Sequence, residues 1–281
     1  MEPYNQLTIV CPTVGYNGIV KSLESYRKYA PGAKIIVIDQ SKQGCLTEVE
    51  FLELTDVYIK VYRALGFSKA MNMGIDISTT PYVCCANDDV ELVHVDWFPN
   101  IIKHFNKNPK IVAVNLSSIK GYRGEPDSLP YKENYTQEDW EYLISKRDDS
   151  IPKNNPGMVI DGIMTWFTVF EREKFDMVKS NGCYFDERFY PGGGEDYDLM
   201  CRIYALKLRA IGVFDSWAYH HWFQSQKSGN DNYPEILKEL RWNYLEGGEG
   251  SKWGKNWDLW GPKDKHSENP LPVPLCTKIN L

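Results

Sequence analysis

No run of apolar residues in this 281-residue sequence approaches the length that crosses a membrane, which argues against a helical span. The first residues, Met1-Glu2-Pro3-Tyr4-Asn5-Gln6, lack the basic and apolar regions of a signal peptide. A cytoplasmic protein is expected, with peripheral attachment to a membrane left open. Positive charge is not in excess: 32 Lys and Arg stand against 38 Asp and Glu, a formal net charge of −6. That balance gives no reason to expect nucleic acid or an anionic membrane surface as partner. The cysteines show no zinc-type pair spacing. There are seven, an odd number, and Cys11, Cys84 and Cys85 lie in strand-like apolar runs, so they read as buried, reduced thiols. No internal repeat and no low-complexity segment is evident.

What remains is an ordinary globular composition, 42% hydrophobic and 25% charged, enough for one large α/β domain or one domain with appendages. Aromatic residues make up 14%, with nine Trp and eighteen Tyr. Most belong in a core, although such an excess also suits stacking against sugar rings.

Along the chain, Leu7 to Val14 reads as a buried strand that exits at Pro12 and Thr13. Ile19, Leu23 and Tyr26 share one helical face, and Pro31-Gly32 stops that helix. Lys34 to Asp39 is a second buried strand. Strand, helix and strand make a right-handed βαβ unit and a parallel sheet. Ligands bind beyond the carboxyl ends of such strands, which makes Thr13 and Asp39 candidates for touching a nucleotide. Asp39 is equally a turn former at a strand end. Asp56 to Arg63 is a third strand, followed by Gly66-Phe67-Ser68-Lys69-Ala70-Met71-Asn72. Ser68 is a candidate cap for a helix that buries Met71 and Ile75 and leaves Lys69 and Asn72 on other faces.

Tyr82 to Ala86 is a fourth buried strand, running out into Asn87-Asp88-Asp89-Val90. Two aspartates at a strand end can coordinate a hard divalent ion, and they also occur in plain turns. Trp97 to Phe105 is a helix and Ile111 to Leu116 a strand. From Ser117 to Gly157 periodicity fades around a short helix at Gln137 to Ile144, which suggests a lid or binding loop. Val159 to Phe170 is a strand, Glu171 to Lys179 a short helix, and Arg209 to Phe214 and Trp217 to Trp222 are strands. His220 and His221 must point to opposite faces of a strand, so at most one can join a site on one side. The stretch from Gly247, rich in Gly, Trp, Pro and Lys, reads as a tail or flap.

The stretch around which the chain is organised is Tyr190-Pro191-Gly192-Gly193-Gly194-Glu195-Asp196-Tyr197-Asp198-Leu199. Glycines let a backbone approach a ligand closely. Leu199, Ile203 and Leu206 then recur at helical spacing, which sets the acids at a helix N-terminus, where the macrodipole favours an ionised carboxylate. That is a suitable place for a general base, and also for a cap with solvated charges.

Taken together, these pieces resemble the GT-A-fold glycosyltransferases, specifically the inverting family 2 group. Pro12-Thr13 and the strand ending at Asp39 are similar to that family's nucleotide-binding start. Gly66 to Ile75 is similar to its GxxxAxNxGI donor segment, and Asn87-Asp88-Asp89 to its metal-binding DxD motif. Glu173-Lys174-Phe175, Phe185-Asp186-Glu187-Arg188-Phe189 and Glu195-Asp196 follow in the family's order. His220 falls where the family often places a histidine metal ligand. Gly193-Gly194-Glu195-Asp196 is also similar to the GGED stretch of β-1,4-galactosyltransferases. There are two departures: Asn87 replaces the first Asp of DxD, and the glycine run holds no Trp.

The resemblance covers about residues 7–226 and implies an α/β GT-A (Rossmann-like) fold with a mixed, mostly parallel sheet flanked by helices. It implies a main domain over 1–245, with a donor half to about 116 and an acceptor half from about 117, and a tail over 246–281. The implied function is metal-dependent, inverting transfer of a sugar from a nucleoside diphosphate donor, by family weight a UDP-sugar, to a hydroxyl of a glycan or glycoconjugate. On that reading Asp89, with Asn87 and His220 (or His221), holds Mn²⁺ or Mg²⁺. Pro12, Thr13, Asp39, Gly66, Lys69, Asn72 and Asp88 face the donor. Asp196 is the base and Glu195 orients the acceptor. A sugar nucleotidyltransferase would show arginine in the loop after the first strand, where Thr13 to Gly18 has none. A non-catalytic carbohydrate-binding protein would not need Asp89, Glu195 and Asp196 intact.

Overall fold

The computed structural model describes residues 3–119, 136, 138–139, 141–142, 159–161 (backbone), 164–221, 276 and 278. The first half alternates as the apolar runs require. Strands β1 (Leu7–Thr13), β2 (Lys34–Asp39), β3 (Val57–Lys60) and β4 (Tyr82–Ala86) are separated by helices α1 (Ile19–Tyr29), α2 (Glu48–Leu54) and α3 (Phe67–Ile77). A short strand β5 (Val90–Leu92), helix α4 (Trp97–Lys107) and strand β6 (Ile111–Ser118) follow. Strands β7 (Val159–Asp161) and β8 (Phe167–Glu171), helices α5 (Arg172–Val178) and α6 (Glu195–Ala205), and the long strand β9 (Arg209–His220) complete the described elements.

Among the described residues nine strands form one sheet in the order β3-β2-β1-β4-β8-β6-β9-β5, with β7 also on β9. β1 to β4 run parallel, β6 and β9 run with them, and β5, β7 and β8 run against them. The sheet is therefore mixed and mostly parallel. Parallel strands covered on both faces need apolar residues on both. Accordingly Ile9, Cys11, Ile35, Val37 and Cys84 pack with α1 and α4 on one side. Val10, Ile36, Ile38, Val83 and Cys85 pack with α3, α5 and α6 on the other. All seven cysteines are free thiols, and all but Cys45 are buried. Among the described residues no helix is long and apolar enough to cross a membrane.

Several boundaries differ from the sequence reading. Helix α2, not expected from the sequence, fully buries none of its residues, and Thr47 and Glu50 close a reciprocal capping box at its start. The apolar run from Val159 divides into β7 and β8, and the two strands expected after Arg209 are one. β9 stays continuous because register shifts in its pairing with β6 absorb the irregularity. Helix α3 starts at Phe67 behind Gly66, so Ser68 lies inside its first turn instead of capping it. Within the helix expected at 137–144, residues 138–139 and 141–142 are helical, with the Thr136 hydroxyl accepting from the Asp139 N–H at 3.2 Å. Trp222 and all of the tail except Cys276 and Lys278 lie outside the described residues.

Candidate active site

The carboxyl edge of the parallel strands gathers the polar residues. Thr13 pairs with Asp39 across β1 and β2, and Asp39 pairs with Lys60 across β2 and β3. Asp39 is fully buried, and both of its oxygens are occupied. The Ser41 and Cys45 N–H groups donate at 2.7 and 3.0 Å, the Tyr58 hydroxyl donates a short bond, and Lys60 Nζ lies 3.5 Å away. Burial alone would raise the Asp39 pKa, but the donors from Ser41 and Tyr58 and the Lys60 charge outweigh it and leave it lowered. Asp39 thus stays ionised and organises the loop over residues 40–45.

Beside it, Asn87-Asp88-Asp89 turns from β4 into β5 and is pinned from several directions. The Asn87 N–H donates to the Trp166 carbonyl at 2.8 Å, and the Tyr26 hydroxyl donates to the Asn87 carbonyl at 3.1 Å. Ser22 Oγ donates to the Asp88 carbonyl at 2.8 Å. The Asp88 side chain points inward and accepts the Thr13 hydroxyl at 2.6 Å, so it braces β1 from beneath the edge. Pro12 is likewise buried within β1. Asp89 has a different partner: its Oδ1 lies 3.0 Å from His220 Nε2, on β9. The Trp166 ring stacks on that imidazole at 5.0 Å and 20°. His221 points the other way, to Glu91 Oε1 at 2.7 Å. Of the two histidines, His220 is therefore the one that meets Asp89.

The donor set fits a hard divalent ion with some nitrogen affinity. Octahedral Mg²⁺ or Mn²⁺ holds neighbouring ligand atoms about 3 Å apart, which is the Asp89–His220 spacing. A second acidic cluster, Asp186, Asp198 and Cys276, brings its ligand atoms within 4.8 Å. There Arg188 and Arg202 already supply the countercharge, at 2.7 and 3.0 Å. Tyr16, which the sequence reading passed over, stands beside the edge. Its pKa is raised by burial and then by the charges of Asp89, Asp88 and Glu91.

Lys69 and Asn72 were expected on the donor. Both are buried against the segment that follows β8 and α5. Asn72 Nδ2 donates to the Phe185 carbonyl at 2.8 Å and to Glu187 Oε1 at 3.1 Å, and its Oδ1 accepts the Phe185 N–H at 2.9 Å. Lys69 Nζ is 3.6 Å from Glu187 Oε2. Gly66 has a φ of +78°, and a Cβ there would stand 2.8 Å from the Tyr190 ring, so the glycine lets this loop come close. The Phe67 N–H donates to the Pro191 carbonyl at 2.8 Å. Because α3 joins β3 to β4, its N-terminus lies at the carboxyl edge, and these contacts bring residues 190–196 to that same edge.

Gly194 takes a left-handed conformation (φ 91°) and starts α6 at Glu195. Glu195 is buried and accepts a short bond from the Gly193 N–H. Burial first, and the Asp196 charge second, push its pKa up from 4.5 to about 8. Asp196 is half-buried, with Oδ1 accepting the Tyr197 N–H at 2.8 Å. Asp198 is fully buried and paired to Arg202, whose guanidinium also donates to the Val178 and Tyr184 carbonyls at 2.8 and 2.5 Å. The Asp198 to Arg202 spacing of four was a readable helix pair.

The sequence profile of glycosyl transferase family 2 matches residues 8–175, more than half of the chain. The chain belongs to glycosyl transferase family 2. No curated protein matches it in sequence. Solved structures show the fold of this family 2 chain again. GalNAc-T7 with UDP, GalNAc and Mn²⁺ superposes with a TM-score of 0.58 at 16% identity, over 85% of this chain and 48% of that one. S. aureus TarS 1–349 in complex with UDP-GlcNAc gives 0.54 at 14% identity, over 84% and 65%. The Pyrobaculum calidifontis mannosyltransferase PcManGT in complex with GDP-Man and Mn²⁺ gives 0.53 at 16% identity, over 84% and 69%. The chain thus spans less than two thirds of the TarS fragment and about half of GalNAc-T7. Identities of this size speak for the fold, which is that of the GT-A glycosyltransferases.

Proposed function

We propose that the protein is a metal-dependent, inverting glycosyltransferase that moves a sugar from a nucleoside diphosphate donor, a UDP-sugar, to a hydroxyl of a glycan or glycoconjugate. The observation that carries this reading is the Asp89–His220 pair, 3.0 Å apart at the carboxyl edge, with the N-terminus of α6 docked to that edge. Asp89 and His220 hold a Mn²⁺ or Mg²⁺ ion, and Asn87 stands next to them in the turn. When bound, the ion neutralises charge on the leaving diphosphate as a Lewis acid. Thr13, Asp39 and the loop that Asp39 organises face the nucleoside. Asp196 accepts the proton of the acceptor hydroxyl as that oxygen attacks the anomeric carbon opposite the diphosphate.

Glu195, with its raised pKa, keeps its proton at neutral pH. It can donate a hydrogen bond to the acceptor, and it leaves Asp196 without a second full charge beside it. Two neighbouring acids with separated protonation are a usual sign of divided roles. The donor half covers about residues 1–116 and the acceptor half about 117–245, with the tail over 246–281. The similar structures of GalNAc-T7 with UDP, GalNAc and Mn²⁺, of TarS with UDP-GlcNAc and of PcManGT with GDP-Man and Mn²⁺ support a nucleotide-sugar donor.

The test is release of free UDP and free sugar from a panel of UDP-sugars, with Mn²⁺ and with a chelator. Metal-dependent hydrolysis is expected. Pyrophosphate consumption would indicate a nucleotidyltransferase instead, and binding without turnover would indicate a carbohydrate-binding protein.

A further inference from the structure

The glycines of the loop before α6 give it freedom, so something else must fix where Glu195 and Asp196 stand. Two buried contacts hold the segment just upstream. From α6 itself, Arg202 takes the Tyr184 carbonyl at 2.5 Å. From α3, Asn72 takes the next residue on both sides of its backbone. Its amide oxygen accepts the Phe185 N–H at 2.9 Å, and its amide nitrogen donates to the Phe185 carbonyl at 2.8 Å. The same nitrogen reaches Glu187 Oε1 at 3.1 Å, and Lys69, one turn earlier, approaches the other oxygen of Glu187 at 3.6 Å. Asn72 is only 5% exposed and Glu187 only 4%. The Phe67 ring meets Phe185 edge-on at 5.8 Å, and the Phe67 N–H holds Pro191. One face of α3 therefore grips residues 185–191, immediately before the loop that ends in Asp196.

We propose that Asn72 is a positioning residue for the transfer reaction: it clasps Phe185 and Glu187 and thereby sets the height and direction of the loop that presents Asp196 to the acceptor hydroxyl. The inference rests on the reading of Asp196 as the base. An amide suits the task because only Asn or Gln offers a donor and an acceptor on one short planar group, as a peptide partner would. Burial makes the clasp costly to break, since Phe185 would be left with an unsatisfied N–H and carbonyl. A displacement of about 1 Å at a reacting group can cost about 10²-fold in rate. A residue touching the donor would lose donor affinity in step with turnover; a residue acting through the loop loses turnover alone.

The experiment compares wild type, Asn72→Ala, Asp196→Asn and the double variant. Turnover is measured as UDP or GDP release from whichever of UDP-glucose, UDP-galactose, UDP-N-acetylglucosamine and GDP-mannose wild type uses. Affinity for the free nucleotide with Mn²⁺ is measured by calorimetry. Asn72→Ala is expected to lose turnover about 10²-fold with nucleotide affinity unchanged. In the Asp196→Asn background the same change should cost nothing further, because both act through one group. Nucleotide affinity falling in step with turnover, independent losses that multiply in the double variant, or normal turnover in Asn72→Ala would each overturn the inference alone. Near-normal turnover by Asp196→Asn would remove the base, and this inference with it.

If Asn72→Ala does not fold, Asn72→Asp replaces it: the carboxylate can still accept the Phe185 N–H but cannot donate to the Phe185 carbonyl or to Glu187, so turnover should fall while nucleotide affinity holds. A folded Asn72→Asp variant with normal turnover would overturn the role.

Discussion

Glu195 offers a perturbation whose size follows from the structure alone. Burial and the neighbouring Asp196 charge lift its pKa from 4.5 to about 8. The folded protein therefore holds a proton there across a range of pH in which the unfolded chain has released it. A carboxyl raised in the folded state contributes stability that is fully present below the unfolded value near 4.5. That contribution is lost as pH rises and is gone above about 8. One bound proton corresponds to a slope of roughly 1.4 kcal/mol per pH unit.

Glu195→Gln keeps the size of the protonated acid and cannot ionise, so its stability profile should lack that proton. Urea unfolding of both proteins between pH 5 and 8 measures the difference. The wild-type curve should fall relative to the variant by roughly 1.4 kcal/mol per pH unit, and the variant should be the more stable protein at pH 8. Parallel curves would refute the raised pKa, and with it the division of roles between Glu195 and Asp196.

Asp196→Asn keeps size and can still accept the Tyr197 N–H but cannot take a proton, so UDP-sugar turnover should fall about 10²–10⁴-fold at nearly unchanged stability. A folded variant with near-normal turnover would exclude Asp196 as base. Asp198→Ala is expected to behave in the opposite way, because it strands the buried Arg202 guanidinium. A loss of about 3–5 kcal/mol in urea unfolding is expected, and a smaller loss would show that the pair is not structural.

The strands and helices of the first half were readable because each buries a periodic apolar pattern, and β1, β2 and β4 stand where those runs placed them. β5 escaped because it has three residues, and its partner, β9, lies far along the chain. Helix α2 was hidden because it has only seven residues and fully buries none of them, although Thr47 and Glu50 spell its capping box. Asp89 and His220 were named from the sequence, and the ladder through Val90 and His220 sets His220, and not His221, beside Asp89.

What surrounds Lys69 and Asn72 was hidden in the sequence for a clear physical reason. Helical periodicity showed that they lie off the face of Met71 and Ile75, but not what covers that other face. The cover is Phe185 and Glu187, more than a hundred residues away, and only the folded chain brings them there. The partner of Asp88 was hidden for a similar reason. A strand-end acid looks alike in sequence whether it turns to a ligand or, as here, back to the Thr13 hydroxyl.

The most direct test of the metal–nucleotide site is a calorimetric titration of UDP into wild type and Asp89→Ala, each with and without Mn²⁺. Wild type should bind UDP with Mn²⁺ and much more weakly without it. Asp89→Ala removes a buried partner of His220 and should cost some stability, yet the folded variant should lose the Mn²⁺-dependent part of binding. Equal UDP affinity in the two proteins with Mn²⁺ present would contradict a metal site at Asp89 and His220.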